Sequence, residues 1–569
     1  MPLIELESAS FSYEGQDRPA LDRVSLAIGE GEYVALVGPN GSGKSSLLRL
    51  MAGLRRPSSG SVRVAGLDAS AAANARALRS VLGLVFQSPA DQIVSTVAEE
   101  DVAFGPENLG LPRAEIGRRV DAALAAVGLE AERRRSPRFL SPGQQQRLAI
   151  AGALAMEGRF IGFDEATAML DPAGRASILA AMDGLSARGV GLLHVTHDLE
   201  EAARADRVLA LDRGRLAFDG SPAELLRAAP GLGLSLPPSA AIARACGLEP
   251  EPGEGAASLA GRIRRSMKSR NASSSAAPAA GAAPRRLGPE PAFRVEEASF
   301  SYLAGGADGR PALDGATLSL PRGASVALVG RTGSGKSSLL QLLDALAFPS
   351  AGRVLSLGVD TLSREADLRA LRTRAPLSIQ RPESALFEFY AGDDVAYGPR
   401  NLGLAGKELA ARVRAAMDSV GLPYEEFRDR PSRSLSGGEA RRLALAGVLA
   451  LEPEALLLDE PTSSLDPAAR EAVLALVETQ RSSGRTLAFA THSMEEAASA
   501  DLVAVLAAGR VAACAPPREL FYEAYDEAWG LARPYACELA LALGGRVLEA
   551  RPLNAAEVAA ALRAGGGRA

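Results

Sequence analysis

Two short, β-rich and almost wholly apolar runs, Tyr33–Val37 (YVALV) and Ser325–Val329 (SVALV), each lead into a Gly-rich segment. Strong helix formers follow at Ser45–Met51 and Ser337–Leu343. Runs of this length, apolar at nearly every position, predict strands buried on both faces. Arg159–Phe163 and Gly191–Val195 in the first half have the same character, as do Ala455–Leu458 and Thr486–Ala490 in the second. Such strands alternating with helices predict an α/β fold whose mainly parallel sheet is covered on both faces. Residues 251–291 are rich in Gly, Ala, Ser and Pro and read as a flexible tether, whereas the Ala-rich segment 517–569 reads as helical. No uninterrupted apolar stretch reaches about 18 residues, so no transmembrane helix is expected.

The pattern is written twice. GPNGSGKSS at 38–46 returns as GRTGSGKSS at 330–338, and LSPGQQQRLAIAGALA at 140–155 as LSGGEARRLALAGVLA at 435–450. FDEATAMLDP at 163–172 returns as LDEPTSSLDP at 458–467, and VTHDLEEAA at 195–203 as ATHSMEEAA at 490–498. The offsets are 292, 295, 295 and 295 residues, so spacing is held along with wording. The expected organisation is one domain over 1–250, a tether over 251–291 and a second domain over 292–569. A flexible tether of about 40 residues spans roughly 35 Å and would hold the halves at high effective concentration. Its basic stretch, Arg262 to Arg270, reads as a solvated linker.

Composition changes this picture little. At 569 residues the chain is too long for one ordinary core. Lys+Arg 63 against Asp+Glu 68 gives a net charge of −5, which argues against a dedicated nucleic-acid binder. Three cysteines, none in a C-x-x-C, form no disulfide framework and point to a reducing compartment. The opening MPLIELESASFSYEG is acidic where a signal peptide would be basic, so no leader is expected.

The Gly-rich segments carry the chemistry. Gly38, Pro39, Asn40, Gly41, Ser42, Gly43, Lys44 and Ser45 match G-x-x-x-x-G-K-[ST], followed by Ser46. Gly330, Arg331, Thr332, Gly333, Ser334, Gly335, Lys336 and Ser337 repeat the match, followed by Ser338. Glycines let backbone N–H groups turn onto phosphate, the helix N-terminus adds its dipole, and the lysine reaches the β- and γ-phosphates. The serine after the lysine can hold Mg²⁺. Only four lysines occur in the chain, and Lys44 and Lys336 are two of them. A compact ammonium fits a phosphate loop where a planar guanidinium does not.

Asp164 and Asp459 end apolar runs, where a carboxylate can hold Mg²⁺, often through water. Glu165 and Glu460 follow, placed to orient or deprotonate the water that attacks the γ-phosphate. His194 has no counterpart in the second half, where Phe489 stands, and reads as a strand residue. A zinc pair with His197 is not expected, because residues three apart on a strand face opposite ways.

With LSPGQ and LSGGE added, the chain resembles ATP-binding cassette (ABC) ATPases over nearly its whole length outside the tether. The resemblance implies two tandem P-loop NTPase domains, each with a helical subdomain, paired so that each ATP lies between one half's P-loop and the other's signature. One site would join Lys44, Ser45, Asp164, Glu165 and His197 to Ser436 and Gly438. The other would join Lys336, Ser337, Asp459, Glu460 and His492 to Ser141 and Gly143. It also assigns Gln87 and Gln380 to the loop sensing Mg²⁺ and the membrane partner, and Tyr13 and Tyr302 to stacking on adenine. His197 and His492 would be the γ-phosphate switch, and Asp171 and Asp466 would lie on the loop signalling between sites. Pro142 in place of Gly437 removes one N–H donor, and Ala166 and Ala168 replace Pro461 and Ser463, so two competent but unequal sites are expected.

Beyond Gln87 and Gln380 stand EEDVAFGPENLGL and GDDVAYGPRNLGL. These segments are similar to the ATPases of energy-coupling factor (ECF) importers and their cobalt and nickel relatives. That likeness implies a peripheral, cytoplasmic-side ATPase working with an integral-membrane coupling subunit and a membrane substrate-binding subunit. The cargo would be a vitamin, a vitamin precursor or a transition-metal ion. The alternatives are the tandem ATPase of another importer, such as a sugar importer, and a soluble ABC-type translation factor. The 97 residues between Lys44 and Ser141 leave no room for the coiled coils of a DNA-repair ATPase.

Overall fold

The computed structural model describes residues 2–14, 18–167, 170, 172–269, 290–302, 311–380, 382–463 and 465–564. Two compact units emerge. The first comprises Met1–Ala240 with Pro250–Glu254 and Asp466–Ala468; the second comprises Ala241–Glu249, Gly255–Leu465 and Ala469–Ala569.

In the first unit a six-stranded sheet runs in the order Arg215–Gly220, Arg207–Asp212, Tyr33–Val37, Gly191–Val195, Phe160–Asp164, Leu82–Val85. All its pairings are parallel except that of the first two strands. Tyr33–Val37, Phe160–Asp164 and Gly191–Val195 are buried at every residue, as their apolar runs require. Register decides the function of this sheet: Leu36 and Asp164 both pair with Val195, so three strands end side by side. The loops leaving their carboxyl ends therefore share one edge, where open α/β sheets bind ligands.

A second sheet of four antiparallel strands, Leu21–Ile28, Ile4–Phe11, Ser59–Val64 and Leu67–Asp68, goes beyond the expected parallel sheet. Its strands alternate between buried and exposed residues, as in Leu21–Ile28, because they cover the core with one face only. Between Gln87 and the strand Phe160–Asp164 lie the helices Ala98–Asn108, Arg113–Ala126 and Pro142–Ala155, the expected helical subdomain.

The second unit repeats the design. Its larger sheet is ordered Leu377–Ser378, Ala455–Asp459, Thr486–Ala490, Ser325–Val329, Leu502–Ala507, Arg510–Ala515, and its smaller one is again antiparallel. Asp459 and Leu328 both pair with Ala490, which restores the common edge.

The tether reading needs correction at both ends. Pro291 already begins the strand Pro291–Phe300, and Ala256–Ser269 is a helix. Ala256, Leu259, Ala260 and Ile263 fall at helical spacing that the Gly/Ala/Pro composition conceals. Leu259, Ala260 and Ile263 are buried with Ile242, Ala243, Ala536, Leu539 and Val558 in an apolar cluster of the second unit. The basic stretch is therefore partly committed: Arg264 donates to the carbonyls of Ala542 and Leu543, and Arg262 to that of Glu249. Residues 270–289 lie outside the described residues. The segment after 517 is helical as expected, through Pro517–Tyr522, Tyr535–Leu543, Gly545–Ala550 and Ala555–Ala564. Among the described residues no helix is long and apolar enough to cross a membrane.

Candidate nucleotide sites

Each P-loop leaves its strand at a glycine that no other residue could replace in this conformation. Gly38 has φ 143° and Gly330 φ 154°, and a Cβ on either would stand 2.2 or 2.3 Å from the carbonyl oxygen of Leu211 or Leu506. The loop then closes onto the helices Lys44–Met51 and Lys336–Leu343, whose first N–H groups have no partner within the helix. Lys44 Nζ donates to the carbonyls of Gly38 at 2.8 Å and Pro39 at 2.9 Å, and Lys336 Nζ to those of Gly330 at 2.8 Å and Arg331 at 3.2 Å. The ammonium is thus held over the loop's concave side. Burial pulls the Lys44 pKa down while the nearby Glu165 and Asp164 carboxylates oppose it.

Asp164 and Asp459 come up beside the P-loop serines. Ser45 Oγ donates to Asp164 Oδ1 at 2.9 Å, and Ser337 bonds to Asp459. Burial raises both carboxyls above the usual carboxylate range, since the serine bonds only partly offset desolvation. Asp459 Oδ1 is buried and without a hydrogen-bond partner. A hydroxyl, a side-chain amide and an under-satisfied carboxylate suit a hard, oxygen-seeking cation that fills its remaining positions with phosphate oxygens and water, which is the habit of Mg²⁺.

The adjacent glutamates are bracketed in the same way in both units. Gln87 Nε2 donates to Glu165 Oε2 at 2.8 Å, while His197 Nε2 lies 2.5 Å from Glu165 Oε1. Gln380 Nε2 donates to Glu460 Oε2 at 2.9 Å, and His492 Nε2 lies 2.8 Å from Glu460 Oε1. Burial pushes each glutamate pKa up, but the histidine and lysine outweigh it and hold both carboxyls below the usual range. Each is therefore an anion at neutral pH. Both glutamates sit in the left-handed region, at φ 50° and 49°, a strain of about 1–3 kcal/mol that survives only where surroundings over-determine the backbone.

Other expected residues take distinct places. Tyr13 and Tyr302 are tied to the P-loop helices, their hydroxyls 3.1 Å from Ser46 Oγ and Ser338 Oγ. Each ring meets a neighbouring ring, Phe11 or Phe300, edge to face at 4.8 Å. Ser42 Oγ and Ser334 Oγ are buried and unpaired. Ser141 and Ser436 cap the helices Pro142–Ala155 and Gly437–Leu449, with Gly143 and Gly438 in the first turn. Gln144 and Glu439 complete capping boxes there, which explains the last letter of LSPGQ and LSGGE. Asp171 and Ala168 lie outside the described residues. His194 and His197 turn to different acids: His194 Nε2 is 3.4 Å from Glu201, its Nδ1 3.4 Å from the Tyr33 hydroxyl, so no metal pair forms. The buried Glu201 and Glu496 were not singled out in the sequence, although both stand inside the repeated VTHDLEEAA and ATHSMEEAA.

Comparison with known proteins agrees with this geometry. The ABC transporter family model matches residues 21–168 and 313–463. An ABC transporter ATP-binding protein of Bifidobacterium longum is 38% identical over 528 residues, which cover 86% of this chain and 63% of that protein. A cobalt import ATP-binding protein of Syntrophus aciditrophicus is 46% identical over 243 residues, 42% of this chain and 87% of its own length. An energy-coupling factor transporter ATP-binding protein of Symbiobacterium thermophilum is 47% identical over 249 residues, with the same two coverages. With two phosphate loops, two bracketed glutamates and a family model matched twice, the chain belongs to the ABC transporter family as an ATP-hydrolysing protein with two ATP-binding cassettes.

Proposed function

We propose that this chain is the energy-coupling ATPase of an ECF-type importer, docked peripherally on the cytoplasmic side of the membrane. One observation carries the reading. The DVAFGP and DVAYGP segments fold as the helices Ala98–Asn108 and Ala391–Asn401, and large apolar side chains are exposed beside both. In the first unit these are Val94 and Phe104, 62% and 49% exposed, at a cleft of about 250 Å³ that Leu54 and Met156 also line. In the second they are Phe387, Phe389, Tyr390 and Tyr397, 44–68% exposed. Apolar patches of this kind mark a surface made for a partner. The likeness to the cobalt and energy-coupling factor ATPases favours membrane coupling helices as that partner.

In the mechanism, Lys44 and Lys336 hold the β- and γ-phosphates, and the P-loop N–H groups with the helix N-termini complete each cradle. Tyr13 and Tyr302 offer a ring face to adenine. Ser45, Gln87 and Asp164, and Ser337, Gln380 and Asp459, would hold Mg²⁺. There the ion would supply positive charge to offset that of the phosphates. Glu165 and Glu460 accept the proton of the attacking water, while His197 and His492 sense the γ-phosphate. Ser141, Gly143, Ser436 and Gly438 are the signature residues proposed to meet nucleotide. The cycle of ATP binding, hydrolysis and phosphate release would move a membrane coupling subunit and a substrate-binding subunit that admit a vitamin, a vitamin precursor or a transition-metal ion.

The test is co-expression with the coupling and substrate-binding membrane subunits of an ECF-type importer, followed by affinity recovery in detergent. Recovery of a coupling subunit is expected, and so is its loss in V94D/F104D/F387D/F389D with ATPase activity retained. Sedimentation with ribosomes and no membrane subunit recovered would replace the reading with the translation-factor alternative.

A further inference from the structure

Two glutamates lie buried behind the catalytic edge without touching it. Glu201 is 2% exposed and Glu496 4%. Oε2 of Glu201 accepts from Thr167 Oγ1 at 2.9 Å and from Thr196 Oγ1 at 2.6 Å, and its Oε1 accepts from Arg175 Nε at 2.6 Å. Glu496 repeats the arrangement, with Thr462 Oγ1 at 2.7 Å, Thr491 Oγ1 at 2.7 Å and Arg470 Nε at 2.9 Å. All four residues recur at the same 295-residue offset.

The place of the threonines gives the cluster its meaning. Thr167 and Thr462 stand two residues after Glu165 and Glu460, and Thr196 and Thr491 immediately precede His197 and His492. One carboxylate in each unit therefore ties the turn leaving the catalytic glutamate to the strand end that carries the histidine. The backbone reinforces the tie: Glu165 N donates to Val195 O at 3.0 Å and Glu460 N to Ala490 O at 3.1 Å. Thr196 N and Thr491 N in turn reach the P-loop strands at Leu36 O and Leu328 O. The arginine extends the tie behind the histidine, Arg175 to Asp198 and Arg470 Nη2 to Ser493 Oγ at 3.0 Å. Buried carboxylates satisfied by an arginine and two hydroxyls are rigid points.

We propose that Glu201 and Glu496 are positioning residues for ATP hydrolysis: each fixes its catalytic glutamate and its γ-phosphate histidine in one frame, so that neither moves without the other. The proposal rests on ATP hydrolysis and on the catalytic roles proposed above, but not on the importer reading. Co-expression can therefore fail without touching it.

The test is steady-state ATPase activity and equilibrium nucleotide binding of the full chain. For E201A/E496A we expect kcat to fall about 10- to 100-fold, with KM and nucleotide affinity within about three-fold, because misplacement of catalytic groups acts on kcat. T196V/T491V, which removes only hydroxyls at constant shape, should reproduce a large part of the loss. The two losses should be far from additive in a double-mutant cycle. E201Q/E496Q retains an acceptor oxygen and should recover much of the rate. A kcat that falls only in step with the folded fraction would overturn the proposal. So would an unaltered kcat in T196V/T491V, a variant that keeps the test open should E201A/E496A fail to fold.

Discussion

The two cassettes hold the same proposed reacting groups in different scaffolding. In the second unit Arg441, 5% exposed, donates to the carbonyls of Gln380, Pro461 and Ser463, so one guanidinium grips the glutamine loop and the turn after Glu460 together. The first unit has Gln146 there; its amide reaches Phe86 O at 3.2 Å and its buried Oε1 is unpaired. The first unit instead carries His194 against Glu201 and Tyr33, where the second has the apolar Phe489 and the short Ser325. Equal reacting groups therefore need not imply equal rates. A catalytic group is only as well placed as the residues behind it.

The largest test of that comparison is kinetic. E165Q/E460Q should lose about 10²- to 10⁴-fold in ATPase rate, the usual worth of a positioned base. The single variants E165Q and E460Q should leave unequal residual activities. Indistinguishable residuals would show that the different scaffolding has no kinetic consequence.

Asp344 gives the next effect. It is buried at the end of the P-loop helix of the second unit, with Oδ1 unpaired, where the first unit has Ala52. Burial pushes its pKa up to about 7 from 3.8, the nearby Arg372 only partly opposing this. The folded state thus binds the proton more tightly than the unfolded chain. The penalty is absent below pH 3.8 and grows until the pH passes about 7. D344A should raise stability by about 2–4 kcal/mol at pH 8 and by nothing near pH 3.8, as read from urea unfolding at the two pH values.

R441Q, which writes the first unit's residue into the second, should cost about 2–3 kcal/mol through lost charge-assisted bonds. Measured in an E165Q background, it should also lower the rate remaining at the second site. An unchanged rate would make Arg441 a purely structural residue. H194F makes the reverse exchange and should have the smallest effect. Burial lowers the His194 pKa, so the unfolded chain takes up the proton first and stability falls as pH drops below about 6.5. H194F should remove that acid sensitivity, read by calorimetry as a smaller fall in Tm between pH 7 and pH 5.5 than the parent chain shows.

The legible parts of the molecule were those whose information is local. Tyr33–Val37 and Ser325–Val329 are strands over the residues expected, because a short, almost wholly apolar run before a phosphate loop admits little else. Helix Ala256–Ser269 was misread because alanine dilutes a pattern that Leu259 and Ile263 still carry. The small antiparallel sheets went unread because their alternation, as in Pro291–Phe300, is interrupted by shifts of register.

From its letters alone this protein has two cassettes, two phosphate loops and the acid and histidine that follow each, since those depend on fixed spacing along one strand–loop–helix. Tertiary structure alone decided which atoms meet: Gln87 with Glu165, Arg441 with two loops, Glu201 and Glu496 with the threonines beside His197 and His492. Those partners lie up to 80 residues apart, as Gln380 does from Glu460. Only the register of a parallel sheet, which aligns strand ends from distant segments, brings them within a hydrogen bond.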